Sequence, residues 1–161
     1  MKTTILAFLL SAPFALAGTP VTFQQLPVGD SIHVTFTSTG CFHYETYEFD
    51  FQRAATVTVK VTQVEHRWNE AKKRQEEAKR TSLGTVTISE AEIAGIERLF
   101  TFYRSKKDGG CTTVDRITAI QTSGKAVKAT ESFTDETCAT YDMKNLTRLP
   151  SIAAKLKPKT E

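Results

Sequence analysis

Hydrophobic and polar residues alternate along four segments in the first half of the chain. In residues 31–37 the apolar positions are Ile32, Val34 and Phe36, and residues 44–51, 56–61 and 83–88 follow the same rule. A period of two is typical of a strand that buries one face. The cluster Ser38-Thr39-Gly40 predicts a turn, so we expect the first two strands to form a hairpin.

A helix is predicted over residues 90–106. Ser89 and Glu92 have the spacing of a capping box, in which each side chain satisfies a backbone N–H at the helix start. Gly109-Gly110 marks the end of the helix. One stripe of apolar residues would face a sheet: Ile93, Ile96, Phe100 and Tyr103.

Two further strands are predicted over residues 112–122 and 125–133, joined by Ser123-Gly124 as a two-residue hairpin turn. That turn sets the register between them. The pairs it predicts are Val127 with Ile120, Phe133 with Val114, and Glu131 with Arg116.

The chain is predicted to end in a helix within residues 142–156, which Pro150 splits or restarts. Together the segments favour one α+β domain over residues 18–161. It consists of a mainly antiparallel sheet of about six strands, with two helices packed on one face.

Residues 65–80 differ from the rest, since 10 of these 16 residues are charged. We expect a charged helical insertion, supported by pairs four apart such as Glu70 with Arg74 and Glu76 with Arg80. Such pairs do not hold an isolated helix, so the segment frays or extends the hairpin as a mobile arm. It is either a solvated helical face or a binding arm. The residues available for binding are Arg67, Trp68, Lys72, Lys73 and Arg74.

The first 17 residues resemble an export signal, with Lys2, an apolar run over residues 5–10 and the small-x-small pattern Ala15-Leu16-Ala17. A buried N-terminal helix is the alternative. Cleavage near Ala17 would leave a secreted or periplasmic protein. No other segment approaches the roughly 20 apolar residues that a membrane span needs.

Export would allow disulfides to persist among the three cysteines. The predicted hairpin places Cys111 opposite Glu136, close to Cys138, so we expect a Cys111–Cys138 disulfide. The loop it closes is worth roughly 3 to 4 kcal/mol of stability. Cys41 is then left as a free thiol or as a link between two molecules.

Reactive side chains suggest one further site. Cys41, His43 and Glu45 lie two residues apart, and His33 on the preceding strand could join them as zinc or copper ligands. The alternative is a small buried cysteine without chemistry. A nucleophilic Cys41 would need His43 as its base. Carboxylate neighbours such as Asp135 and Glu136 are interpreted as solvated turn residues.

No phosphate-binding loop, nucleophile elbow or dinucleotide motif is present, so the sequence implies no cofactor and favours a role other than catalysis. The formal net charge is only +3, which is too even a balance to indicate a nucleic-acid partner.

The order of segments resembles a family of uncharacterised bacterial secreted and lipoprotein domains. The likeness rests on Gly40-Cys41-Phe42, on the aromatic strand with Tyr47 and Phe49, on Gly84 through Ile88-Ser89 before the helix, and on Gly124-Lys125. Typical members carry a second cysteine and a proline after the first motif, and residues 43–46 have neither. The resemblance implies a fold of this layout and no particular activity.

The sequence thus predicts a non-catalytic periplasmic or extracellular interaction module whose arm contacts a protein or a cell-envelope polymer. The competing hypothesis is a small metal- or thiol-dependent site around Cys41 and His43.

Overall fold

The computed structural model describes residues 19–105 and 109–157. The predicted signal over residues 1–17 lies outside them. The elements in chain order are β1 (Asp30–Gly40), β2 (His43–Arg53), β3 (Val57–Asn69), β4 (Arg74–Ile88), α1 (Glu90–Arg104), β5 (Val114–Ser123), β6 (Ala126–Asp135), a 3₁₀ turn (Ala139–Tyr141) and α2 (Leu149–Ala154).

All six strands belong to one antiparallel sheet, in the order β4-β3-β2-β1-β5-β6. This agrees with the predicted α+β class, although the sheet dominates and the described residues form only two α-helices. The chain leaves β4 at one edge of the sheet and returns at β5, beside β1. The connection between these strands is α1, which carries the chain across one face of the sheet.

The alternation seen in the sequence sorts the sheet into a buried and an outer face. Inward positions such as Val34, Phe49 and Val59 are fully buried. Both helices supply residues to the same core, as do Val21 and Phe23 from the segment before β1. The outer face of the central strands carries mainly threonine, serine and charged residues.

The predicted capping box starts α1. The Glu92 amide donates to Ser89 Oγ at 3.3 Å, and the Ser89 amide donates to Glu92 Oε2 at 3.0 Å. The helix ends at Arg104, two residues before the predicted end. Lys155 forms an ion pair with Glu92 and so ties the end of α2 to the start of α1. Pro150 lies in the first turn of α2, which begins at Leu149 and confirms the predicted restart.

The predicted register between β5 and β6 is wrong. The two turn residues are Gly124 and Lys125 rather than Ser123 and Gly124. Gly124 has φ +56°, and a type II′ turn requires a positive φ at its first central residue, so Gly124 occupies that position. The register also shifts beside Gln121, where Lys128 is an extra residue in β6. The observed partners are Ile120 with Thr130, Ile117 with Phe133, and Arg116 with Thr134.

Glu131 therefore pairs with Arg104 instead of Arg116. Arg104 donates to Glu131 Oε2 at 2.7 Å and to the Val21 carbonyl at 2.6 Å, and Glu131 Oε2 accepts from the Val21 amide at 3.0 Å. The hydrogen bonds that Arg104 donates to Glu131 raise the pKa of Arg104. Glu97 Oε2 likewise accepts a hydrogen bond from the Phe23 amide at 2.7 Å. These contacts fix the N-terminal segment over the core.

The predicted helix over residues 65–80 is also wrong. β3 and β4 continue through this region as a paired ribbon, in which His66 lies opposite Glu77 and Trp68 lies opposite Gln75. Within the described ribbon, neither of the predicted helical pairs forms an ion pair. Because β3 and β4 are already paired in register, extending both strands adds further backbone hydrogen bonds between them. A helix over the same residues would have no apolar stripe and would gain no packing energy.

Gly95 offers a test of the contact between α1 and the segment before α2. It is buried in the helix, and a Cβ placed there would overlap the Thr147 side chain and lie 2.8 Å from the Thr147 backbone nitrogen. Alanine gains about 1 kcal/mol of helix propensity over glycine. Overpacking against such a neighbour costs about 1 to 3 kcal/mol. We expect Gly95→Ala to lower the free energy of unfolding in urea.

The control is Gly110→Ala, where a Cβ meets no atom within 4 Å and stability should not fall. A Gly95→Ala protein as stable as the natural chain would disprove the close contact.

Candidate functional site

The structure does not assemble the proposed metal ligands. His33 Nδ1 lies 2.6 Å from Asp50 Oδ1, and His43 Nε2 lies 3.0 Å from Ser38 Oγ. His33 is seven positions from Gly40 along β1, and Gly40 is the partner of His43, so about 23 Å of strand separates the two rings. In residues 19–105 and 109–157, no group of three or more His, Cys, Asp or Glu side chains is placed to hold a metal ion.

Cys41 is an exposed free thiol in the turn between β1 and β2. It is therefore not the buried cysteine of the alternative interpretation. The His43 ring lies over Gly40, where a Cβ would come within 2.8 Å of Nδ1. The His43 Nε2 atom forms a hydrogen bond with the Ser38 hydroxyl of β1. The ring therefore contacts β1 rather than the Cys41 thiol.

The predicted Cys111–Cys138 disulfide is present, with Cα atoms 5.7 Å apart and a sequence separation of 27. The Cys111 amide donates to the Glu136 carbonyl at 2.8 Å, which places Cys111 beside Glu136 as predicted. Closing this loop is worth roughly 3 to 4 kcal/mol of stability. The bond joins the chain just before β5 to the chain just after β6.

A pair of buried carboxyl groups lies near the disulfide, and the interpretation of Asp135 as a solvated turn residue is wrong. Asp115 on β5 and Asp135 on β6 are direct partners on the inward face, and each is only 5% exposed. Asp135 Oδ1 accepts from the amide and the hydroxyl of Thr137 at 2.9 and 2.6 Å. In the described part of the chain, Asp115 Oδ1 and Asp135 Oδ2 have no hydrogen-bond partner.

Burial raises the pKa of Asp115, a hydrogen bond from Ser38 lowers it, and the charge of Asp135 raises it again. Burial and both carboxylates also raise the pKa of the Tyr103 hydroxyl. The sequence did indicate that Asp115 is buried, because Asp115 alternates in step with the inward residues Ile117 and Ala119.

A second candidate surface is the arm, defined here as residues 65–80, where β3 and β4 continue beyond the last β2–β3 pair, Thr46 with Val64. Five of its six cations are engaged in ion pairs within 4.0 Å. These pairs are Lys72 and Arg74 with Glu76, Lys73 with Glu70, Lys79 with Glu65, and Arg80 with both Glu77 and Glu48. Arg67 is the sixth, and no ion pair engages it among the described residues. The positive charge of the arm is largely neutralised.

Aromatic rings line the outer side of the arm. The rings of Tyr44 and His66 meet edge to face with centroids 4.9 Å apart, and Trp68 follows His66 on the same face of β3. We call Tyr44, His66 and Trp68 the aromatic row. Trp68 is 47% and Tyr44 41% exposed, and Phe42 in the adjoining turn is fully exposed. A shallow cavity of about 390 Å³ borders Trp68, Arg67 and Glu77.

The structure thus brings together only some of the predicted arm residues. Arg67 and Trp68 are neighbours near the cavity, while Lys72, Lys73 and Arg74 lie at the tip in ion pairs. Tyr44 was missed because it joins the arm across strands. No helix in the described ranges is both long and apolar enough to cross a membrane.

Asp115→Asn should change the pH dependence of stability. A carboxyl with a raised pKa in the folded state contributes its stability below its unfolded pKa, and loses it as the pH rises through the folded pKa. Each unit of the shift corresponds to about 1.4 kcal/mol. We expect the variant to be more stable than the natural chain at pH 7, with the advantage disappearing near pH 4. Urea unfolding at both pH values measures this.

Asp142→Asn, at an exposed position, is the matched control and should show no such trend. An Asp115→Asn protein that is destabilised at pH 7 but not at pH 4 would mean that Asp115 is needed as an ionised acceptor.

Comparison with known proteins gives no match to this chain among protein-family models, curated proteins or solved structures. The resemblance to secreted bacterial domains stays a prediction.

Proposed function

We propose that this chain is an exported interaction module that acts in the periplasm or outside the cell and binds its partner through the arm. The observation that carries the proposal is Trp68, whose large ring is half exposed on a ribbon that extends beyond the sheet. An indole in that position contributes little to the core. Its exposure is therefore best explained by a partner.

The location rests on two independent features. Residues 1–17 have the composition of an export signal. The Cys111–Cys138 bond is a kind of cross-link that persists in oxidising compartments and is rare where thiols are kept reduced. Both features favour the same side of the membrane.

The contact surface is expected to centre on Arg67 and Trp68. Tryptophan and arginine are the residues that most often carry binding energy at interfaces, and Arg67 is the arm cation without an acidic partner in the described chain. Lys72, Lys73 and Arg74 would lie at the rim of the contact. Rim charges that already form ion pairs contribute little to affinity.

An arm-shortened chain tests this proposal. Residues 66–78 are replaced by Asn-Gly, so that a two-residue turn joins Glu65 and Lys79, which are already opposite each other. The mature protein is immobilised, and the amount of cell-envelope extract retained per mole is measured. We expect the shortened chain to retain little. Trp68→Ala should bind at least about tenfold more weakly, the loss typical of a central contact residue.

Val127→Ala changes an exposed apolar residue on β6 and should leave retention unchanged. Each variant must keep cooperative unfolding. A shortened chain that unfolds cooperatively and retains the same material in the same amount would refute the proposal.

A further inference from the structure

The chemistry of the arm narrows the class of partner. Apart from Trp68, the apolar residues of the arm are only Ala71 and Ala78. An arm without leucine, isoleucine, valine or methionine offers no aliphatic pocket for an apolar peptide side chain.

Charge argues against a polyanion. Arg80 donates to both oxygens of Glu77 at 2.7 and 2.9 Å and also to Glu48 at 2.6 Å. Lys72 and Arg74 share Glu76 at 2.8 and 3.0 Å. A polyanion would have to compete with carboxylates that already hold five of the six cations, and Arg67 alone among the described residues offers a free charge, whereas polyanion binding uses several.

Polar side chains stand beside the exposed rings. Gln75 lies directly opposite Trp68 and Glu77 lies opposite His66, so both share the outer side of the ribbon with the aromatic row. The Gln75 side chain is exposed, and its amide makes no hydrogen bond among the residues of the structure. Trp68 and His66 thus each have a planar hydrogen-bonding group directly opposite them.

From these observations we infer that the aromatic row binds a neutral polysaccharide chain, with sugar rings stacked on Trp68 and Tyr44 and with Gln75 bonded to their hydroxyls. The inference rests on the proposed function and specifies its partner. A pyranose ring has one face of C–H groups and a rim of hydroxyls, which matches an aromatic face bordered by amide and carboxylate groups. Strand spacing places successive rings in a line, as an extended chain requires: Trp68 lies about 7 Å along β3 from His66.

The sequence supplies its own probe, because Trp68 is the only tryptophan. Its fluorescence reports directly on the aromatic row. The mature, disulfide-bonded chain is titrated with hydroxyethyl cellulose, a galactomannan and a xylan as neutral polymers, and with heparin as the polyanion. We expect saturable changes in emission with at least one neutral polymer, insensitive to added salt because no charges are exchanged.

Variants separate stacking from other contacts. Since Trp68→Ala removes the probe, its binding is measured by affinity electrophoresis in gels containing the same polymer. Trp68→Ala and Tyr44→Ala should each weaken binding at least tenfold. Tyr44→Phe keeps the ring and should bind within about threefold of the natural chain. Gln75→Ala should weaken binding severalfold, and Val127→Ala should not change it.

The two proposals fail in different ways. If no neutral polymer binds while retention of envelope material still depends on the arm, the polysaccharide inference is overturned and the interaction module stands. Binding to heparin alone, abolished by salt, would also overturn it. If shortening the arm changes neither measurement, both proposals fall.

Discussion

One-sided burial of the sheet is the constraint on which the rest of the structure depends. Six strands span about 24 Å, whereas a helix is about 10 Å wide, so α1 alone cannot cover the inward face. The segment before β1 and α2 fill the remaining width with Val21, Phe23 and Ile152. Because the first of these segments has no regular structure of its own, its backbone needs partners. Arg104, Glu131 and Glu97 provide them.

Unequal strand lengths create the arm. β3 and β4 have 13 and 15 residues, while β1 and β2 have 11 each. The inward face of the shorter strands ends where the core ends, so the excess length of β3 and β4 has nothing to pack against. Its residues can then be polar or aromatic without cost to the core. The fold stabilises the base of the arm, and the exposed part is left free for binding.

The sequence predicts what depends on local pattern and fails where distant residues decide. Alternation identified the strands, and Ser89 with Glu92 located the start of α1. Residues 65–80 were misassigned because ion pairs four apart resemble a helix when the neighbouring strand is not considered. The β5–β6 register failed because Lys128 forms a bulge without a marker in the sequence. The aromatic row and the Asp115–Asp135 pair both join residues from different strands, which no spacing along one strand can show.

The outer edge of β4 has a consequence for self-association. An edge strand presents unpaired N–H and C=O groups that another copy could extend into a continuous fibre. Here the register shifts beside Val61 and Glu65 leave Leu83 and Ala78 of β4 without partners on β3, so a second copy would meet a bulged and mismatched backbone. The bulges of β4 therefore hinder strand-by-strand polymerisation, whatever the arm binds.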